Sequence, residues 1–229
     1  MNKSLTSKIT LSNYNYMIDR CIVIERDAYG EKVLIAPDGH YIKIFRTKKR
    51  LSTAALRPYA LRFQSNAEKL ACLGIPTVQV HSVAYCPENR RHLVTYRPLP
   101  GETLRAVLKK GEGSDGLLAG FARFLAQLHR RGIYFRSIHF GNVIIQPDSD
   151  EPGLIDLADM RIRRRPLGAG ARARNFRHFL RYREDVRALK AFGLARFLKI
   201  YLEAADLRGW RRLFFRRLAE RTLRKGLQR

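Results

Sequence analysis

The sequence predicts an α+β fold in two lobes, a small antiparallel β N-lobe with one helix followed by a mostly α-helical C-lobe. Three observations carry that expectation. Short runs rich in β-branched and aromatic residues recur between Cys21 and Tyr96, with turn residues between them. From Thr103 onward, apolar residues return at helical spacing instead. Between the two patterns lies Pro98-Leu99-Pro100-Gly101, which breaks both, as a connection between lobes does. The expected lobes are therefore residues 1–97 and 98–229. At 229 residues and 45% hydrophobic content, the chain has the apolar surface for a continuous core.

In chain order, Cys21 to Glu25 and Lys32 to Ile35 form a predicted hairpin around Arg26 to Glu31. Gly30 is the lone glycine of that turn, compatible with a plain β-turn or with close approach of backbone N–H groups to a phosphate. The strand Tyr41 to Phe45 puts Lys43 on one face with Tyr41 and Phe45. A lysine on the core side needs an anionic partner, and one on the solvent side does not. A helix over Leu56 to Leu73 follows, with Ala60, Phe63, Ala67 and Leu70 at helical spacing and a stop at Gly74-Ile75-Pro76. It carries Glu68, oriented either toward Lys43 or toward solvent. Val78 to Tyr85 and His92 to Tyr96 complete the sheet.

After the break, Gly116 to Arg131 is the best-defined helix, with Leu117, Leu118, Phe121, Phe124, Leu125 and Leu128 as its apolar stripe. His129 at its end reads as a packing or capping residue. The strands Val143 to Ile145 and Leu154-Ile155 form a hairpin about a turn rich in Pro, Asp, Ser and Gly. Such a hairpin brings Asn142 and Asp156 to adjacent strand ends, where an amide oxygen and a carboxylate can share a cation such as magnesium. Residues 185–229 carry helical patterns, the last with Leu207, Trp210, Leu213, Phe214 and Leu218 on one side and arginine on much of the rest. That is the composition of an interfacial helix as well as of a packed terminal helix with a basic outer face.

A formal net charge of +25 and a pI near 10.8 predict attraction to phosphates and carboxylates. From Met160 the chain is densely basic, with Arg161, Arg163, Arg164, Arg165, Arg172, Arg174, Arg177, Arg181 and Arg183. Nucleic acid is not the expected partner, since no aromatic or base-reading motif accompanies the charge. Cys21, Cys72 and Cys86 lack C-x-x-C spacing and are expected to be reduced core residues of a cytoplasmic protein. Residues 1–20 have no signal-like apolar core, and the apolar stretch Phe192 to Ala205 is interrupted by Arg196, Lys199 and Glu203. The expected location is the cytoplasm.

Phe135-Arg136-Ser137, with Asn142 five residues after Ser137, resembles the protein-kinase catalytic loop H-R-D-x-x-x-x-N, and Asp156-Leu157-Ala158 resembles D-F-G. His139-Phe140-Gly141-Asn142 is similar to the H-x-G-N of small-molecule kinases such as the aminoglycoside phosphotransferases. Leu128-His129, with Gly132-Ile133, resembles the L-H-x-x-G-I that leads into that loop. From about Ile22 to Ala205 the chain resembles the bacterial lipopolysaccharide core kinase group, which includes proteins called toluene tolerance proteins.

The resemblance implies ATP and magnesium as cofactors and transfer of the γ-phosphate to a sugar hydroxyl, a heptose of the lipopolysaccharide inner core. It places Lys43 on the nucleotide phosphates with Glu68 as its partner, Gly30 over the phosphates, and the backbone from Tyr96 to Leu99 beside the adenine. Asn142 and Asp156 would hold magnesium, Arg136 would position the loop, and the basic segment would hold an anionic sugar or glycolipid. Such an acceptor implies peripheral contact with the cytoplasmic face of the inner membrane. No A-P-E follows, which points away from eukaryotic-type protein kinases. The position of the family's catalytic Asp holds Ser137, whose hydroxyl is far too weakly basic to replace a carboxylate. Asp159 then reads as a surrogate base or second metal ligand, or as a cap of the following segment, with His139 the other candidate base; the alternative is a non-catalytic pseudokinase that binds nucleotide or anionic glycolipid.

Overall fold

The β-rich runs of the first hundred residues fold into one sheet of six strands, in the order β1-β5-β6-β4-β3-β2. These are β1 (Ser7–Lys8), β2 (Ile22–Asp27), β3 (Gly30–Ile35), β4 (Tyr41–Arg46), β5 (Gln79–Cys86) and β6 (Arg91–Arg97). The computed structural model describes residues 6–46, 58–111, 114–147 and 149–227. They lie in two compact units, one within residues 1–72 and 77–99, the other within 73–76 and 100–229. The start of the first predicted helix, at Leu56, falls outside the described residues.

Within the first unit the strands pair antiparallel, except that the short β1 runs parallel to β5. A helix the sequence reading did not anticipate, α1 (Leu11–Asp19), starts at Thr10, whose hydroxyl accepts from the Asn13 N–H at 3.3 Å. Its only buried residue is Tyr14, so it has too thin an apolar stripe to stand out in the sequence. Tyr14 packs with Leu34, Ile42, Ile44, Cys86 and Leu93. The expected helix is α2 (Tyr59–Cys72), which buries Ala60, Phe63, Ala67 and Leu70 together with Asn66. Its Phe63 ring lies 5.8 Å from that of Phe45 and 5.5 Å from that of Tyr96. Of the three cysteines expected in the core, Cys86 is buried and Cys21 half-buried, but Cys72, at the last turn of α2, is exposed.

The second unit begins with β7 (Glu102–Thr103) and α3 (Leu104–Lys110), which Thr103 caps by accepting from the Ala106 N–H at 3.1 Å. Then come α4 (Ser114–Arg130), β8 (Ile133–Phe135), β9 (Val143–Gln146), β10 (Ser149–Leu154) and β11 (Met160–Ile162). The chain continues through α5 (Ala169–Phe179), α6 (Arg183–Phe192), α7 (Leu194–Ala204) and α8 (Gly209–Leu227). The core is aromatic: Phe121 meets Phe140, Phe179 and Phe197, while Phe176 meets Tyr201 edge-on at 5.0 Å. Gly132 has φ +77°, and a Cβ there would lie 2.3 Å from the Arg163 carbonyl oxygen, so only glycine lets β8 start this close to the end of β11.

The α8 stripe differs from the expected one. Phe215, Ala219 and Leu223, at i, i+4 and i+8, are buried, whereas Trp210, Leu213 and Phe214 stay exposed. A helix as basic and aromatic as this offers two apolar stripes, and the neighbouring Phe176 and Tyr201 select the one centred on Phe215. Among the described residues, no helix is long and apolar enough to cross a membrane.

Candidate active site

β9 and β10 pair in the register Val143↔Leu154, which leaves Asn142 and Ile155 facing each other where the hairpin opens. The Ile155 N–H donates to the Asn142 carbonyl at 3.1 Å, so Asp156 starts one residue from a backbone bond to Asn142. Asp156 adopts φ 57° and ψ 53°, a left-handed conformation that a non-glycine residue holds only where its surroundings impose it. The Asn142 side-chain N–H donates to the Ser137 carbonyl at 2.8 Å. With that nitrogen committed inward, the side-chain oxygen is the part of Asn142 suited to a cation. An amide oxygen and one carboxylate are hard donors. Among the described residues there is no group of three or more His, Cys, Asp or Glu able to hold a metal. A donor set this small fits magnesium completed by phosphate and water oxygens, not a structural zinc.

The loop from Arg136 to Asn142 is held from below by two side chains that sequence reasoning did not single out. Asn175 on α5 clamps the Phe135 backbone, donating to its carbonyl at 2.6 Å and accepting from its N–H at 3.3 Å. Asp185, in the first turn of α6, has a side chain with no exposed surface. It accepts from the Phe140 N–H at 3.0 Å and takes both Nε and Nη2 of Arg105, at 2.8 and 3.0 Å. Behind Asn175, His129 accepts from the Tyr201 hydroxyl at 2.7 Å and donates to Asn175 Oδ1 at 3.0 Å, the tautomer that satisfies both partners. Burial pushes His129 down to about 3. Arg172, 2% exposed, closes the network by donating to Tyr201 and to the carbonyls of Leu167 and Ala205. His129 is thus a packing histidine in a satisfied buried network.

The other end of the loop carries the acid–base candidates. Ser137 is half-buried, and its carbonyl is the one that orients Asn142. Arg136 is exposed; its N–H donates to the Asp159 carbonyl at 3.1 Å and its guanidinium lies 3.8 Å from the Asp159 carboxylate. Asp159 is therefore beside the loop and partly open to solvent. His139 Nδ1 accepts from the Gly141 N–H at 3.1 Å, which puts the ring proton on Nε2. Burial, then the Arg105 guanidinium, holds it below the usual histidine range. Its ring packs 4.5 Å from that of Tyr182. With one nitrogen engaged and the other protonated, His139 is poorly arranged to take a proton, which leaves Asp159 as the better-placed carboxylate.

In the first unit, Lys43 is 8% exposed in the middle of β4, its Nζ 5.9 Å from the ring centres of Phe45 and Phe63. Glu68, expected as its partner, is exposed and makes no ion pair among the described residues. The reason is helical phase. Five residues from Phe63, which faces Lys43, turn Glu68 about 140° away, whereas buried Asn66 and Ala67 share the inner side. Gly30, with φ +113°, is explained by a tight turn. The Tyr29 N–H donates to Asp27 and the Tyr29 carbonyl accepts from Arg91, so the tip bonds to its own unit rather than presenting a cradle. Tyr96 lies inside the ladder, between Tyr41 and Val80, with its ring in the core. Leu99, half-buried, follows the end of β6.

No family model matches the chain, and no curated protein matches it in sequence. Among solved structures it is similar to WaaP in complex with acyl carrier protein, at 18% identity and TM-score 0.62, over 94% of this chain and 92% of that one. It is also similar to an aminoglycoside-3'-phosphotransferase of type VIII, at 18% identity and TM-score 0.54, over 90% of this chain and 99% of that one. Likeness at this identity over nearly whole chains is a statement of architecture, and it agrees with the hairpin, loop and helix order described above. The chain has the α+β, two-lobed protein-kinase-like fold.

Proposed function

We propose that the chain is an ATP- and magnesium-dependent phosphotransferase acting on a sugar hydroxyl, with a heptose of the lipopolysaccharide inner core as acceptor. The observation that carries this reading is the Asn142 and Asp156 pair, bridged by the Ile155 to Asn142 backbone bond and set beside a loop anchored on Asp185 and Asn175. Magnesium, when bound, would neutralise charge on the nucleotide phosphates. Asn142 would present its oxygen because Ser137 occupies its nitrogen, and Asp156 would present its carboxylate from a constrained backbone. Lys43, a buried cation, is the proposed phosphate ligand of the first unit. Asp159 is the proposed base, and its tie to Arg136 keeps it next to the loop.

Acceptor binding is assigned to the arginine-rich chain after Met160. Peripheral contact with the cytoplasmic face of the inner membrane is supported by the exposed row Trp210, Leu213 and Phe214, flanked by Arg211 and Arg217 on the same helix.

A second reading, a pseudokinase that binds nucleotide or anionic glycolipid without turnover, is favoured by Ser137, by the lone Gly30 in its turn and by the missing A-P-E. Phosphoryl transfer depends mostly on positioning and charge, and a missing base costs about 10² to 10⁴ in rate, so Ser137 lowers turnover without forbidding it. Thermal melting of the parent protein with ATP, with and without magnesium, tests the nucleotide site: a rise that requires both is expected, and an unchanged melting temperature overturns it. Single-turnover transfer from labelled ATP to dephosphorylated core saccharide separates the enzyme from the pseudokinase.

A further inference from the structure

We propose that the groove between α5, α6 and α8 is a binding site for a ligand bearing several phosphate or carboxylate groups, in the acceptor the anionic portion rather than the reacting hydroxyl. Only the identification of that ligand as the acceptor rests on the phosphotransferase reading.

The groove encloses about 960 Å³, room for a small oligosaccharide rather than a single ion. Its walls carry Arg174 and Arg177 from α5, Arg183 and Arg187 from α6, and Arg221 and Lys225 from α8. Among the described residues no Asp or Glu lines it. Among the described residues none of these six makes an ion pair or a side-chain hydrogen bond, although the same unit pairs Arg105, Lys109, Arg196 and Arg216 with carboxylates. The six stand at i,i+3 or i,i+4 within their helices, where like charges repel and weaken the helix. Three such pairs aimed into one concavity form an arrangement that an anion relieves. Guanidinium forks also match phosphate and carboxylate oxygens two at a time.

The basic run is divided by the fold. Arg172 is consumed by the buried network, while Arg174 and Arg177, two and five residues on, reach the groove. The helices α6 and α8 supply the rest, so the site is not one stretch of sequence. It adjoins the catalytic-type loop, since Tyr182, which packs against His139 with the rings tilted, immediately precedes Arg183.

The test titrates the parent protein with inositol hexakisphosphate by calorimetry at physiological salt, without nucleotide or magnesium. Saturable binding is expected, weakened about tenfold or more by Arg187→Glu with Arg221→Glu, which remove two charge-assisted contacts. Arg123→Glu with Lys199→Glu makes the same change in net charge on exposed positions outside the groove and should weaken binding about twofold or less. The corresponding glutamine pair at 187 and 221 keeps the test readable if the glutamates disturb helix packing. Equal weakening by both glutamate pairs, or no saturable binding, overturns the site. Binding to phosphatidylglycerol vesicles with none to the soluble probe also overturns it, in favour of a membrane surface. Probe binding without phosphoryl transfer by the parent would leave the groove standing and remove the phosphotransferase reading, and transfer without probe binding would do the reverse.

Discussion

The two ends of the loop between β8 and β9 are built differently. At Asn142 every neighbour is fixed: its N–H donates to His139, its carbonyl accepts from Ile155, its side chain is tied to Ser137, and Phe140 hangs on buried Asp185. At Ser137 and Asp159 the surroundings are more open, with a partly exposed carboxylate whose ion pair to the exposed Arg136 is long, at 3.8 Å. On the proposed reading, a loop anchored at its Asn142 end and open at its Ser137 end is the arrangement expected of a protein that binds better than it turns over. Four expected outcomes bear on that contrast.

The largest concerns the frame. Asp185→Ala leaves Arg105 without its bidentate partner and the Phe140 N–H unpaired, and should destabilise the protein by about 3 kcal/mol in denaturant melts, the low end for a broken buried pair because Arg105 keeps some solvent. A change under about 1 kcal/mol would mean the loop does not depend on this anchor.

Next is the cation end itself. Asp156→Asn should abolish the magnesium-dependent stabilisation by ATP, about 2.7 kcal/mol at a hundredfold excess over Kd. If the variant keeps the parent's shift, the nucleotide's metal lies elsewhere.

The frame should also be acid-sensitive. His129 is held at about 3 when folded and returns to about 6.5 when unfolded, so the unfolded chain binds the extra proton between those values. Stability is full above about pH 6.5 and falls as the pH drops, by roughly 2 kcal/mol at pH 5 from this residue. His178, lowered to about 4 first by burial and then by Arg181, acts in the same direction. His129→Gln should flatten the dependence while lowering stability at neutral pH; an equally steep curve would place the acid sensitivity elsewhere.

The smallest effects belong to the base end. Ser137→Asp should raise transfer to core saccharide about tenfold, a fraction of what a well-placed base supplies, if Asp159, the proposed base, serves in part in the parent. His139→Gln should leave the rate within about twofold, given its engaged Nδ1. A large loss in the His139 variant would reverse the assignment of the base.

Much of this region is legible in one sequence because it depends on local rules. The turn-rich segment after Ile145 closes a hairpin, and hairpin pairing alone puts Asn142 beside Asp156. The stripe from Leu118 to Leu128 announces α4 in the same way. Glu68 was harder, since its helix was plain but its phase depended on which side met β4. Asn175 and Asp185 gave no local sign, because a polar residue on an amphipathic helix looks the same whether it faces water or a backbone 45 residues away.

Periodicity, turn chemistry and charge, read along the chain, settle the division into a β-rich and a helical part, the hairpin that brings Asn142 beside Asp156 and the strongly basic character. Which arginines are structural and which are available is not written along the chain. Arg172 and Arg174 are two residues apart on one helix, and α5 turns the first into a ring of buried oxygen acceptors and the second into a groove shared with α6 and α8. Local sequence specifies what a side chain can bond, but desolvation and long-range packing choose its partner, because a buried guanidinium is stable only where several acceptors from distant segments converge.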